Sequence, residues 1–207
     1  MNRPPPKNKG LKPFLQPVLL LSTIFLAACS STPKYQQAMD LSVNDYQQSI
    51  SRKDTVGQIV FSTKKALHNN PGTSDSEYDD NYARAIINTD TNEISYQIVN
   101  TIQYQAPNWR FYQQAKYVTQ EGVNEEDVSV IDQQVLECSV FSDCSYLEIV
   151  SFEITEEIVQ KGVARYQPGM QVGIKYMLIP ETGENYKGII FAQELIALYN
   201  AAQKFQE

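Results

Sequence analysis

The sequence of 207 residues contains one histidine, three cysteines and nine glycines. A single histidine excludes the HExxH and Cys2His2 zinc motifs, because each of these motifs needs two. No two glycines lie two positions apart, so the chain has neither a GxGxxG phosphate-binding loop nor a GxSxG nucleophile elbow. We therefore expect no metal site, no cofactor and no catalytic motif of these common kinds.

Basic residues are also scarce, with 17 Lys and Arg against 24 Asp and Glu. Residues 1–28 hold four of the basic residues and no acidic ones, so the remainder carries 13 basic and 24 acidic side chains, a net charge of −11. A body with this charge repels the phosphates of nucleic acids and anionic lipid surfaces. We expect no nucleic-acid partner, and a membrane location would need an anchor other than net charge.

The chain has no apolar run long enough to cross a membrane, and its main uncharged stretch is residues 18–27, VLLLSTIFLA. Ten helical residues span about 15 Å, which is half of a bilayer core. A basic, proline-rich segment precedes this stretch. Such an arrangement is typical of the hydrophobic region of a signal peptide rather than of a transmembrane helix.

The apolar stretch ends in Leu26-Ala27-Ala28-Cys29, which resembles the lipobox of bacterial lipoproteins. The resemblance implies cleavage before Cys29 and attachment of lipid to its sulfur. Lipoproteins of this family carry two or three acyl chains, which are enough for stable anchoring. Ser30, rather than Asp, follows the cysteine, and in this family that difference implies the outer membrane, here at its periplasmic face. The predicted membrane partner is thus reached through the lipid on Cys29.

The other two cysteines, Cys138 and Cys144, lie six positions apart. Because the predicted compartment is oxidising, we expect a disulfide between them. Closing so short a loop stabilises a fold by about 2 kcal/mol in the chain-entropy model. No third and fourth ligand of a zinc site lies nearby in the sequence.

Three regions follow from these patterns. Residues 1–28 are a signal peptide, residues 29–54 are the lipidated Cys29 and a polar tether, and residues 55–207 are one β-rich periplasmic domain. From residue 55 onward, apolar and polar residues alternate with the period of half-buried strands, and the last apolar positions, Leu195 to Phe205, recur at helical spacing. The predicted fold class is α+β, mainly β: an antiparallel β-sandwich or a curved antiparallel sheet with a C-terminal helix packed on it.

The candidate binding face lies on the strand predicted after Pro107. Alternation places Trp109 and Phe111 toward the core and four other side chains toward solvent. Tyr and Arg are favoured at recognition surfaces. The predicted binding face is Arg110, Tyr112, Gln114 and Lys116.

Other chemically capable residues have simpler interpretations. His68 is the only side chain suited by its ordinary pKa to neutral general-base work, but it lies in a turn-rich segment and is interpreted as an exposed loop residue. Residues 88–92 begin like a calcium-binding EF-hand loop, yet Glu93 stands where Gly is needed and Val99 where Glu is needed. Residues 74–81 form a second acidic segment, and we interpret both segments as solvated loops.

The sequence therefore favours a non-enzymatic, lipid-anchored cell-envelope protein that binds a protein partner or supports an envelope assembly. One alternative is a module that binds a glycan or small ligand, which the 13 tyrosines favour. A further alternative is an envelope hydrolase that uses two converging carboxylates. Its candidate pairs come from Glu148, Glu153, Glu156 and Glu157.

Overall fold

The chain folds into two antiparallel sheets flanked by helices in the residues that the computed structural model describes, 38–63, 76–119, 122–139, 142–167 and 172–206. The first sheet has six strands in the order β1-β2-β3-β4-β8-β7. Its strands are β1 (Ser51–Thr55), β2 (Gln58–Ser62), β3 (Ser76–Asn88), β4 (Ile94–Ala106), β7 (Ser129–Ser139) and β8 (Ser142–Ile154).

The second sheet has four strands in the order β10-β9-β5-β6, and every pairing in both sheets is antiparallel. The predicted mainly-β, antiparallel α+β fold is therefore confirmed. The strands of this sheet are β5 (Tyr112–Thr119), β6 (Gly122–Asp127), β9 (Gly173–Pro180) and β10 (Tyr186–Phe191).

The inner face of β4 shows why the sequence folds this way. Alternate residues of β4 are large and apolar, and all of them from Tyr96 to Tyr104 are buried. They share one core cluster with aromatic residues of the second sheet. The neighbouring strand β8 contributes Phe152, whose ring stacks on Tyr117 and is tilted against Tyr176. The core of the domain thus lies between the two sheets.

One polar side chain, Asn100, interrupts the apolar face of β4 and is fully buried. It lies directly opposite Asn81 of β3, and Tyr176 of β9 brings its hydroxyl between the two amides. The Asn81 Nδ2 donates to the Tyr176 hydroxyl at 2.5 Å, and that hydroxyl donates to the Asn100 Oδ1 at 2.5 Å. Burial raises the pKa of Tyr176, so the hydroxyl stays protonated and joins the two sheets at the centre of the core.

Gly188 makes room for this tyrosine. It is the cross-strand neighbour of Tyr176 in β10, and a Cβ atom on Gly188 would lie 2.2 Å from the Cζ atom of the ring. A larger residue at this position would therefore displace the ring, and with it the hydroxyl that bridges the sheets.

The helices that the structure describes over their full length are α1 (Val43–Ser49), α2 (Glu156–Arg165) and α3 (Ala192–Gln206). Helix α3 follows β10 without an intervening residue and buries most of its first two turns, which confirms the predicted packed C-terminal helix. Its Glu194 is fully buried and accepts hydrogen bonds from the Thr63 hydroxyl and from the Ala83 backbone N–H. These bonds tie the start of α3 to β3 and to the end of β2.

The described part of the predicted tether, residues 38–54, is helix and strand in contact with the rest of the domain. Helix α1 packs against α3. Tyr46 of α1 is fully buried, and its hydroxyl donates to the Ala38 carbonyl at 3.1 Å. A Ser42–Asp45 capping box starts the helix. The ordered domain therefore begins before residue 55. The sequence pattern did not predict this contact, because within residues 38–54 only Ala38 and Tyr46 are fully buried and most of the other residues are polar.

We predict that Tyr176→Phe lowers the free energy of unfolding by about 1–3 kcal/mol, because it leaves Asn81 and Asn100 without their shared buried partner. Urea unfolding followed by circular dichroism measures this change. Tyr199→Phe is the matched control, since the Tyr199 hydroxyl is at a partly exposed site and accepts one long bond of 3.4 Å from Gln160. Equal losses for both variants would contradict the bridging role of Tyr176.

Candidate functional site

Strand β7 lies at one edge of the six-stranded sheet. It is 11 residues long and pairs with β8 on one side. On its other side, no strand among the described residues pairs with it. An edge strand presents a row of main-chain N–H and C=O groups that another chain can pair with.

Four large apolar side chains on this edge strand are exposed. Val130 and Val135 lie opposite the buried Val150 and Tyr146, so they face the inner side of the sheet yet remain 53% and 52% exposed. Ile131 and Leu136 are the extra residues at two register shifts of β7, and both are 44% exposed. β-Bulges usually protect an edge by twisting it or by presenting charge. Here both extra residues are apolar.

The loop that leads into β5 adds an aromatic surface beside β7. The Trp109 ring lies 4.5 Å from the ring of Tyr146, which is the cross-strand neighbour of Val135. Phe111 stacks on Trp109 at 6.1 Å between centroids and is 41% exposed. We refer to the exposed apolar residues of this region as the β7 patch, which consists of Phe111, Val130, Ile131, Val135 and Leu136.

The backbone of Phe111 is held in an unfavourable conformation. Its φ angle is +54°, a left-handed geometry that costs a residue with a Cβ atom roughly 1–2 kcal/mol. Two hydrogen bonds hold it there. The Phe111 N–H donates to Glu148 Oε1 at 3.2 Å, and the Phe111 carbonyl accepts from the Glu181 N–H at 3.0 Å. Strain of this kind, held by buried partners, is a common feature of binding and catalytic sites.

Glu148 is the centre of a buried polar network beneath this loop. It is fully buried, and its Oε1 also accepts a hydrogen bond from the Tyr104 hydroxyl, while its Oε2 accepts from Gln133 of β7 at 3.2 Å. The Tyr104 hydroxyl accepts from the Arg110 backbone N–H at 2.9 Å, and the Arg110 guanidinium lies 4.4 Å above the Tyr104 ring. Burial, reinforced by the bond to Glu148, raises the pKa of Tyr104. One carboxylate thus fixes the aromatic loop against β7.

The predicted binding face does not form one solvent-facing row. Arg110 and Tyr112 are buried, at 3% and 2% exposure. Gln114 and Lys116 are half-buried and both bond to Glu125, Lys116 at 2.5 Å. The left-handed Phe111 and a register shift between Tyr112 and Gln114 invert the alternation at the start of β5. As a result, Phe111 points outward where Tyr112 was expected.

The predicted disulfide is present. Cys138 and Cys144 are bonded, with their Sγ atoms 2.02 Å apart, and they join β7 to β8 near the end of the hairpin. The bond lies two residues beyond Leu136 and so fixes one end of the β7 patch. Cys29 and His68 lie outside the described residues.

Two of the carboxylates considered for a hydrolase, Glu148 and Glu153, lie on strand β8. Glu148 and Glu153 are five positions apart on one strand and so lie on opposite faces of the sheet. Glu153 is exposed and accepts from Gln97 at 3.1 Å, and Glu156 of α2 accepts from Gln160 at 3.0 Å. Within the described ranges, no group of three or more His, Cys, Asp or Glu is placed to hold a metal ion.

The two calcium-like segments have structural uses. The Asn88 Oδ1 accepts from the backbone N–H groups of Asp90 and Thr91 at 2.9 and 3.1 Å, so it caps the β3–β4 turn. In the other segment, residues 76–80 are the beginning of β3, and Asp79 and Asp80 are buried. Residues 89–92 are the exposed turn that the sequence suggested, whereas residues 76–81 of the second segment belong to strand β3.

A cavity of about 480 Å³ lies between α2 and the second sheet. Apolar side chains such as Tyr117, Ile158 and Leu195 line it, together with the basic side chains Lys161 and Arg165 of α2. Lys161 also pairs with Glu157 at 2.8 Å. This volume is in the range of small-molecule sites, so the cavity is a second candidate site for an amphipathic ligand.

Comparisons of the chain with protein-family models, with curated proteins and with solved structures find no significant match. In the part of the chain that the structure describes, none of the helices has the length and apolar character needed to cross a bilayer.

We predict that Phe111→Gly is more stable than Phe111→Ala by about 1 kcal/mol, because glycine adopts a φ of +54° without the steric cost that alanine meets. Urea unfolding of both variants gives the difference. At the exposed strand position Gln134, the same pair of substitutions should show the opposite order, with alanine the more stable. An advantage for alanine at position 111 would show that the left-handed backbone is not retained.

Proposed function

We propose that this protein is a lipid-anchored, non-enzymatic binding module at the periplasmic face of the outer membrane, and that its β7 patch binds an extended segment of another envelope protein. The observation that carries the proposal is the 11-residue edge strand with four exposed apolar side chains beside an immobilised aromatic loop. The lipobox-like sequence ending in Cys29 supports the anchor.

A protein segment fits this surface better than a small molecule does. The edge of β7 offers main-chain donors and acceptors along its length, and an added strand satisfies them while its side chains contact the apolar ones. The strand also carries Asp132 and Glu137, so the complementary segment would combine apolar and basic residues. Because Glu148 already fixes the loop of Phe111, little ordering entropy would be lost on binding.

The separation of the carboxylates supports a non-enzymatic role. Glu148 is committed to three hydrogen bonds that hold Phe111, Tyr104 and Gln133, and Glu153 lies on the other face of the sheet. An alternative function is binding of a small amphipathic ligand in the cavity beside α2. The observation that favours it is an apolar lining beside charged side chains of both signs, Lys161 and Arg165 with Glu126 and Glu157, which suits a ligand with an apolar body and a polar group.

We predict that Cys29→Ser abolishes membrane anchoring through lipid, because the serine oxygen cannot take the place of the lipidated sulfur. Metabolic labelling with a radioactive fatty acid, followed by membrane fractionation and alkaline carbonate extraction, measures both properties. The Ser30→Thr variant is the control and should remain labelled and membrane-bound. Fatty-acid labelling of the Cys29→Ser protein at the level of the parent protein would contradict the proposed lipid anchor.

We predict that Val135→Lys strongly reduces capture of a specific envelope protein by in-cell crosslinking, by tenfold or more, because a charge replaces an apolar contact on the patch. Mass spectrometry of the crosslinked species identifies and quantifies the partner. Gln134→Lys adds the same side chain to the other face of the same strand and should leave capture within twofold.

Two outcomes would contradict the patch proposal. One is equal capture by the Val135→Lys and Gln134→Lys variants at equal protein levels. The other is the absence of any stoichiometric partner combined with a specific thermal shift of the purified protein by an anionic amphiphile. The second outcome would favour the ligand-binding alternative, and Leu195→Trp, which fills the cavity, should then remove the shift.

A further inference from the structure

The outer face of the second sheet carries an unusual set of side chains for so acidic a protein. Its inward residues, among them Tyr117, Tyr176 and Leu178, are buried in the core. The residues between them point outward in two neighbouring cross-strand rows. One row holds Glu125, Lys116, Met177 and Lys187, and the other holds Val123, Val118, Lys175 and Ile189.

Three adjacent strands each contribute one lysine to this surface, which we call the lysine face and define as Lys116, Lys175, Lys187, Val118, Val123 and Met177. These are three of the ten basic residues in the described ranges. Glu125 is the single acidic residue of the two rows and pairs with Lys116 at 2.5 Å. The lysine face is therefore locally basic on a body whose net charge is strongly negative.

The lysine face is also apolar between its charges. Val118 and Val123 are cross-strand neighbours and are 67% and 63% exposed. A shallow depression of about 590 Å³ lies among the lysines, bordered by these valines and by Met177. Apolar groups that enter the headgroup layer, flanked by lysines that extend to phosphates, are the arrangement found in proteins that rest on membrane surfaces.

The N-terminal end of the described chain lies on the same face of this sheet. Ala38 is fully buried and packs with Met39 on Ile189 and Phe191 of β10. Cys29 is nine residues before Ala38, and nine residues can span at most about 30 Å. A lipid on Cys29 would therefore hold the bilayer within that distance of the point where the chain reaches the lysine face.

We propose that the lysine face lies against the phospholipid headgroups of the membrane that carries the lipid anchor, with Lys175 and Lys187 at lipid phosphates and Val118 and Val123 in the headgroup layer. This inference rests on the proposed lipid anchoring. It assigns a defined orientation to the domain, in which the second sheet faces the membrane. Four of the five residues of the β7 patch lie on strand β7 of the other sheet, and the patch shares no residue with the lysine face.

The test uses the full lipidated protein in vesicles of neutral phosphatidylcholine, with or without 30% phosphatidylglycerol. A Val118→Cys variant carries an environment-sensitive fluorophore, and a Val56→Cys variant, labelled at the fully exposed β1–β2 turn, is the control. We expect a blue shift at position 118 on anionic vesicles only, its reversal in 0.5 M salt, and no shift at position 56.

Charge removal makes the test quantitative. Each lysine near an anionic surface favours binding to that surface about fivefold. Lys175→Gln with Lys187→Gln should therefore lower about 25-fold the ratio of protein with its lysine face on the membrane to protein with this face in solution, as measured by the blue shift at position 118. Lys53→Gln with Lys204→Gln removes the same charge elsewhere and should leave the ratio within twofold.

The outcomes separate this inference from the anchor. Vesicle-bound protein with no shift at position 118, or with the same shift on neutral vesicles, would overturn the lysine-face inference while the anchor stands. A shift that both double variants lower equally would overturn it as well. Failure of the protein to sediment with any vesicle would instead overturn the anchor, and the inference with it.

Discussion

The fold depends on one buried hydroxyl. Asn81 and Asn100 face each other in the middle of an apolar surface, where an amide without a partner would cost several kcal/mol. The Tyr176 hydroxyl of the opposite sheet bonds to both amides, accepting from the Asn81 Nδ2 and donating to the Asn100 Oδ1. Because a hydrogen bond tolerates only small displacements, this link fixes how the two sheets are placed, and Gly188 is the residue that admits the ring.

A second buried polar group has a local role. The two carboxylate oxygens of Glu148 accept hydrogen bonds from Tyr104, Gln133 and the backbone N–H of the strained Phe111. The same side chain therefore holds both the aromatic loop and the edge strand. Polar groups in buried networks of this kind lose their hydration, and when every member is hydrogen-bonded the network favours a single conformation. In this protein the unique conformation is that of Phe111, an exposed aromatic side chain of the proposed β7 patch.

Much of the fold could be predicted from the sequence. The alternation in β4, the C-terminal helix and the Cys138–Cys144 bond all have local signals, namely period two, helical spacing and short separation. The outward position of Phe111 in the β7 patch could not be predicted, because its left-handed backbone and a register shift after Tyr112 reverse the alternation of β5. Nor does any local pattern show that β7 lies at an edge, since sheet order is set by tertiary pairing and differs from chain order.

The order of the strands also governs when the domain can form. Tyr96 of β4 pairs with Ile154 of β8, 58 positions later, and all of β5, β6 and β7 are made in between. The second sheet likewise joins β5 to β9. Contacts so distant in sequence form slowly, because the first sheet is not complete before the chain reaches Ile154 and the second is not complete before it reaches Phe191. Until then its strands are exposed to proteases and to aggregation, so protection of the incompletely folded chain matters as much for this protein as its final stability.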